Sequence, residues 1–121
     1  MPRLQAKSFD TPDETRRPDK TLMEIVDLEG VKAARMTAQP GWKWSECIKP
    51  VVGGESCQSH HVGTAVAGML HVVHEDGSEL DVTPGSAYVI EPGHDAWVVG
   101  DEAFVAFEFD SSSAGTYAKP T

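Results

Sequence analysis

Pro84-Gly85-Ser86-Ala87-Tyr88-Val89-Ile90-Glu91-Pro92-Gly93-His94-Asp95-Ala96-Trp97-Val98-Val99-Gly100 sets two strand-length apolar runs between turns centred on Pro-Gly, Pro-Gly and Gly-Asp. Proline presets φ and glycine accepts the left-handed region, so such pairs reverse the chain over a few residues. The same punctuation continues outward. Leu80-Asp81-Val82 precedes it, Ala103-Phe104-Val105-Ala106-Phe107-Glu108-Phe109 follows it, and Glu75-Asp76-Gly77-Ser78 carries an Asp-Gly flanked by apolar runs, the strongest hairpin signal in the chain. Short strands with turns every eight to twelve residues predict an all-β sandwich or barrel.

Upstream, Thr64 to His74 is long enough for two strands, or for one bent at Gly68. Leu22-Met23-Glu24-Ile25-Val26-Asp27-Leu28 has strand-length apolar content, Glu29-Gly30 ends it, and Val31 to Met36 reads as its return, with a short helix as the alternative. After the turn Gln39-Pro40-Gly41, Trp42 to Ile48 alternates as a strand does. That alternation places Trp42 and Trp44 on one face, for a core, a subunit interface or the floor of a pocket. Residues 1–20, rich in proline and charge, read as a flexible N-terminal arm with Leu4 and Phe9 as anchors, either loose or crossing to a partner subunit. Residues 21–110 form the barrel domain, and the polar stretch 111–121 reads as a mobile C-terminal tail.

Composition bounds the function. The 121 residues suffice for one core, and 40% apolar residues with 11 glycines and 8 prolines suit a turn-rich globular domain. Nineteen acidic against ten basic side chains give a net charge of −9, which opposes phosphate backbones and anionic lipid, so no nucleic acid and no membrane partner is expected. No apolar run reaches the ~20 residues that span a bilayer, and Met1-Pro2-Arg3-Leu4-Gln5 lacks the apolar core of a secretion signal; a cytoplasmic protein is expected. In that compartment Cys47 and Cys57 are free thiols, and without a CxxC pair no structural zinc knuckle is expected.

Gly85 through Trp97 resembles the second conserved motif of the cupin superfamily, which runs glycine, five residues, proline, any residue, glycine, two residues, histidine. Gly68 resembles the glycine that ends the first motif. The likeness covers about residues 40–110, and Trp42-x-Trp44-Ser45-Glu46, Ser56-Cys57-Gln58 and Pro92 to Glu102 are similar to a group of small single-domain cupins. It implies a cupin-like jelly-roll β-barrel, a double-stranded β-helix, which commonly pairs through its sheets as a homodimer. The motif's ligands are not all present. His61 stands where the first motif has glutamate, Cys57 and Glu55 stand where it has two histidines, Glu91 takes the proline position, and the second motif's histidine position holds Ala96.

Strand parity supplies another ligand set. Residues two apart share a face, so Glu55, Cys57, Ser59 and His61 project together if extended, and His94 shares the parity of Ala96. Cys57, His61 and His94, with Glu55 as a fourth, offer thiolate, imidazole and carboxylate, a mixture suited to zinc or iron and poorly suited to magnesium or calcium. The same side chains also suit a metal-free role, a buried thiol as a small hydrophobe and barrel histidines as hydrogen-bonding core. His60 falls on the opposite face, and His71 and His74 receive no role, although His71 is within reach of the cavity.

Two functions follow from these readings. One is a metal-dependent oxygenase, isomerase or lyase acting on a small organic substrate, with Glu55 or Tyr88 moving protons. The other is a ligand-binding or sensing module without metal. A third, structural role in a dimer would follow if Trp42, Trp44 and Trp97 filled the cavity, with Phe104 to Phe107 contributing to the interface.

Overall fold

The computed structural model describes residues 4–109; the expected C-terminal tail, 111–121, lies outside them. Among the described residues nine strands and two short helices follow in order: β1 (Glu14–Arg16), β2 (Thr21–Asp27), β3 (Lys32–Ala38), α1 (Trp44–Cys47), α2 (Lys49–Val52), β4 (His61–Ala67), β5 (Met69–His74), β6 (Glu79–Val82), β7 (Ala87–Ile90), β8 (His94–Val99) and β9 (Phe104–Glu108). They make two antiparallel sheets, one of six strands ordered β1-β2-β3-β9-β4-β7 and one of three ordered β6-β5-β8. This is the expected all-β jelly roll.

Local chemistry accounts for the joints. Glu29 (φ 49°) and Gly30 (φ 107°) both occupy the left-handed region, as the tight turn between β2 and β3 requires, and Asp27 pairs with Lys32 across it. The Asp76-Gly77 hairpin forms as read, with Val73 opposite Glu79. At Gly68 the chain leaves the large sheet for the small one, resolving the 64–74 segment into two strands. Its φ is 73°, and a Cβ there would strike the backbone of Ala103 and lie 2.7 Å from Phe104 Cα, so only glycine fits.

The inward faces of the sheets bury Met23, Ile25, Met36, Ala65, Leu70, Val72, Val98, Phe104 and Ala106. Between β3 and β4 the expectation of a strand over 42–48 is corrected: Trp44–Cys47 is helical, with Cys47 N donating to Lys43 O at 2.9 Å and Ile48 N to Trp44 O at 2.9 Å. The physical reason is burial at helical spacing. Trp44, Cys47 and Ile48 stand at i, i+3 and i+4, and all three face the core. The polar alternation around them reflected the exposed sides of one short turn. Trp42 and Trp44 are both core residues, whereas Trp97 lies on the other face of the small sheet, its ring 4.9 Å from that of His71 and 5.2 Å from Lys43 Nζ.

The segment read as an arm carries β1, which pairs with β2 in register Glu14↔Ile25. Phe9 packs on Phe107 of its own chain, ring centroids 5.2 Å apart, with Arg35 over its face. Strand β9 lies between β3 and β4 with Phe104 and Ala106 inward, so it serves the core.

Candidate functional site

Cys57, His61 and His94 converge. Their ligand atoms all lie within 4.8 Å of one another, and each residue is no more than 4% exposed. The elements that hold them differ. His61 opens β4, whose inward positions are His61, Gly63 and Ala65, and His94 opens β8, followed inward by Ala96 and Val98. Cys57 belongs to no strand of either sheet, yet an isolated bridge ties it to β8: Cys57 N donates to His94 O and Gly93 N to Cys57 O, each at 2.7 Å. Gly93, at φ 98°, makes the turn that brings this bridge about. Parity along β8 explains how the centre survives Ala96: the inward imidazole simply comes two residues earlier.

Both histidines are oriented by their Nδ1 atoms. His94 Nδ1 is 2.7 Å from the carbonyl of Glu91, and His61 Nδ1 is 2.8 Å from Oε1 of Glu108. A carbonyl or carboxylate partner accepts a hydrogen bond from Nδ1–H and so leaves Nε2 unprotonated toward the centre, the tautomer a metal requires. His61 Nε2 stands 3.6 Å from Cys57 Sγ, and the two imidazole rings meet edge to face at 5.1 Å. Tetrahedral zinc, with bonds of about 2.3 Å to sulfur and about 2.1 Å to nitrogen, would separate such donors by about 3.6 Å. The Cys57–His61 distance matches that separation, and the donor set of one thiol and two imidazoles suits a divalent transition ion.

Electrostatics favour a charged pair when no ion is bound. Burial pushes the Cys57 thiol up, but hydrogen bonds and charge from His61 and His94 outweigh it and bring it down to about 6. Burial pushes His61 down, and the Glu108 carboxylate with the Cys57 sulfur outweighs that, raising it to about 10. The consequence is a thiolate beside an imidazolium near neutral pH.

Glu108 was not foreseen as part of the site. It is 3% exposed, and its second oxygen accepts the Tyr88 hydroxyl at 2.6 Å. Burial and the neighbouring carboxylate both raise the Tyr88 phenol, which stays protonated as the donor. The signal for Glu108 was legible: Phe104, Ala106 and Glu108 share one parity of β9, so a carboxylate sits on an otherwise apolar face.

Other expectations are corrected. Glu55 is exposed and outside the cluster, because the chain bends over residues 54–56, just before Cys57, so same-side parity does not reach back to Glu55. His71 does not reach the cavity. Leu70 and Val72 hold the inward positions of β5, and His71 pairs with Asp81 at 2.7 Å and Glu79 at 2.8 Å on the other face. His60, as read, lies apart, 3.5 Å from Glu91. Cys47 and Cys57 are free, buried thiols.

A wide surface pocket of about 440 Å³, lined by Glu55, Glu75, His94 and Trp97 among others, and two further spaces adjoin the centre. An inner cavity of about 20 Å³ between the sheets is lined by Trp44, His61, His94, Ala96, Phe104 and Glu108 among others. An open pocket of about 270 Å³ at the barrel mouth is lined by Val72, Leu80, Val89, Ile90, Glu91 and His94 among others. Ile90 and His94 belong to both. Among the described residues no helix is long and apolar enough to cross a membrane.

No protein-family model matches the chain, and no curated protein matches it. Solved structures do. A structural-genomics protein of unknown function from Rhizobium leguminosarum bv. viciae 3841 superposes with a TM-score of 0.63 at 16% identity, covering 88% of this chain and 96% of that one. A variant of oxalate decarboxylase from Bacillus subtilis gives 0.60 at 19% identity over 88% of this chain, which spans only 29% of the enzyme. A cupin domain from Bordetella pertussis Tohama I gives 0.53 at 20% identity over 78% of this chain and 95% of that one. At these identities the shared property is the fold, and the fold of this chain is that of a cupin-like jelly roll.

Proposed function

We propose that this cupin carries a metal-dependent small-molecule site, in which Cys57, His61 and His94 hold one divalent zinc or iron ion and a small organic ligand enters through the pocket at the barrel mouth. The observation that carries this reading is the convergence of three buried donors within 4.8 Å, with both imidazoles anchored through Nδ1. A structural zinc site closes all four positions with protein ligands, whereas three donors leave one position for a ligand. When bound, the ion supplies Lewis-acid polarisation of a ligand oxygen. Glu108 fixes the His61 ring and keeps its Nδ1 proton, and Tyr88 holds the second oxygen of Glu108 in place. The barrel walls exclude bulk water from the centre. An oxygenase, isomerase or lyase reaction on a small organic substrate is the activity this arrangement supports.

Elemental analysis of protein purified without added metal tests the reading. One equivalent of zinc or iron is expected, falling sharply in His61→Ala and in Cys57→Ser. Wild-type protein that takes up neither ion, or full retention by His61→Ala, would overturn it.

A second reading, a binding or sensing module without metal, draws on the size of the outer pocket, which of the three donors only His94 reaches. A ligand that raises the melting temperature of fully metal-free protein would select it. We also propose a cytoplasmic homodimer. Two free buried thiols suit a reducing compartment, and Val31, Val66 and Phe109, each about half exposed, offer apolar surface for pairing. Sedimentation velocity showing only monomer would exclude the dimer.

A further inference from the structure

The tryptophans of the barrel differ in what their indole nitrogens meet. Trp42 Nε1 donates to Thr21 Oγ1 at 2.8 Å. Trp44 is equally buried, 2% exposed, yet its Nε1 has no hydrogen-bond partner among the described residues. Trp44 also lines the inner cavity beside His61, His94 and Glu108. Indole N–H is a donor with no acceptor capacity, and a buried donor left unpaired carries its full desolvation penalty. Whatever completes it must present a lone pair.

The cavity limits the size of that group. About 20 Å³ is room for roughly one water-sized group, and such a group needs two or more polar partners. Trp44, His61, His94 and Glu108 supply the polar part of its lining, while Met36, Leu70, Ala96 and Phe104 wall the remainder with apolar surface. Trp44 itself is well held: it opens α1, Ile48 N donates to its carbonyl at 2.9 Å, and the preceding Lys43 bridges to Trp97 of β8. A donor fixed in this way is preorganised for its acceptor.

We propose that Trp44 is the recognition donor of the site: its Nε1–H binds a single oxygen atom at the position that Cys57, His61 and His94 leave open. In the resting protein that atom belongs to water or hydroxide; in the loaded protein it is one oxygen of a small oxyanion or other oxygen-bearing ligand whose remainder extends past Ile90 and His94 into the outer pocket. The location of this oxygen at the metal rests on the metal reading above. The presence of an oxygen acceptor at Trp44 does not.

Formate serves as the probe, in zinc-loaded protein, with the assigned indole N–H resonances as the readout. Formate is expected to move the Trp44 indole resonance downfield and leave those of Trp42 and Trp97 in place. Trp44→Phe is expected to bind formate about tenfold or more weakly while holding zinc within twofold of wild type. A Trp44 resonance unmoved at formate saturation, no formate binding, or wild-type formate affinity in Trp44→Phe would overturn the proposal. If Trp44→Phe does not fold, the wild-type resonances decide alone. If wild-type protein binds no zinc, the metal centre fails separately, and the same titration of metal-free protein decides whether Trp44 recognises oxygen.

Discussion

Tyr88 reaches Glu108 across a strand that lies between them. Gly63 pairs with Tyr88 on one side and with Glu108 on the other, and the phenol donates to Oε2 of the carboxylate at 2.6 Å over its backbone. A Cβ at Gly63 would strike the Phe107 carbonyl and lie 2.9 Å from Glu108 Cγ and 3.0 Å from the Tyr88 hydroxyl. The missing side chain is therefore what allows the row Tyr88, Glu108, His61 to form.

Gly63→Ala is expected to destabilise the protein by about 1–3 kcal/mol, the usual range for overpacking, and to weaken metal binding, because Glu108 must move. Denaturant unfolding beside a chelator competition measures both effects. Unchanged metal affinity would separate Glu108 from the centre.

Glu108→Gln keeps the volume but removes the charge that holds the His61 proton. Metal affinity is expected to fall about 10–100-fold, as for other partners that orient a ligating histidine. Competition with a chromophoric chelator reads it, and wild-type affinity would refute the orienting role.

The thiolate–imidazolium pair gives the metal-free protein a defined pH profile. Folding lowers Cys57 from 9.0 to about 6, so its contribution is complete above 9.0 and is lost as pH falls through about 6. Folding raises His61 from 6.5 to about 10, so its contribution is complete below 6.5 and is lost as pH rises through about 10. The two slopes cancel between about 6.5 and 9, so this pair's contribution is expected to be level there and to fall on either side. Thiolate ultraviolet absorbance against pH, with Cys57→Ser as the blank, tests the lower limb; a transition near 9.0 would show that no pair forms.

His71→Ala and Glu55→Ala are expected to leave metal stoichiometry and the unfolding midpoint unchanged, since both side chains lie outside the cluster and ion pairs at the surface contribute little. His94→Ala, in contrast, is expected to abolish tight binding. Loss of metal in either of the first two variants would mean that the ligand set has been misassigned.

The sequence by itself determined the strands from β4 to β9, and β2 with its return β3, in their order along the chain. Turn chemistry at Glu29-Gly30, Asp76-Gly77 and Pro92-Gly93 and the period-two burial of β4, β8 and β9 are local properties, written in residue order. It also carried His61 and His94 as inward residues of β4 and β8, whereas Cys57, outside both sheets, joins them through its bridge to His94. Only the tertiary structure decided the rest. Helix α1 exists because Trp44, Cys47 and Ile48 find the core together, which a window of seven residues with polar neighbours does not reveal. Glu55 drops out because the chain bends over residues 54–56, before Cys57. Glu108, which lies 47 residues from His61, enters because β9 is inserted between β3 and β4. The physical reason is range: backbone preference acts over a few residues, whereas a hydrogen bond between distant strands depends on sheet order and register, which the packing of the whole barrel settles.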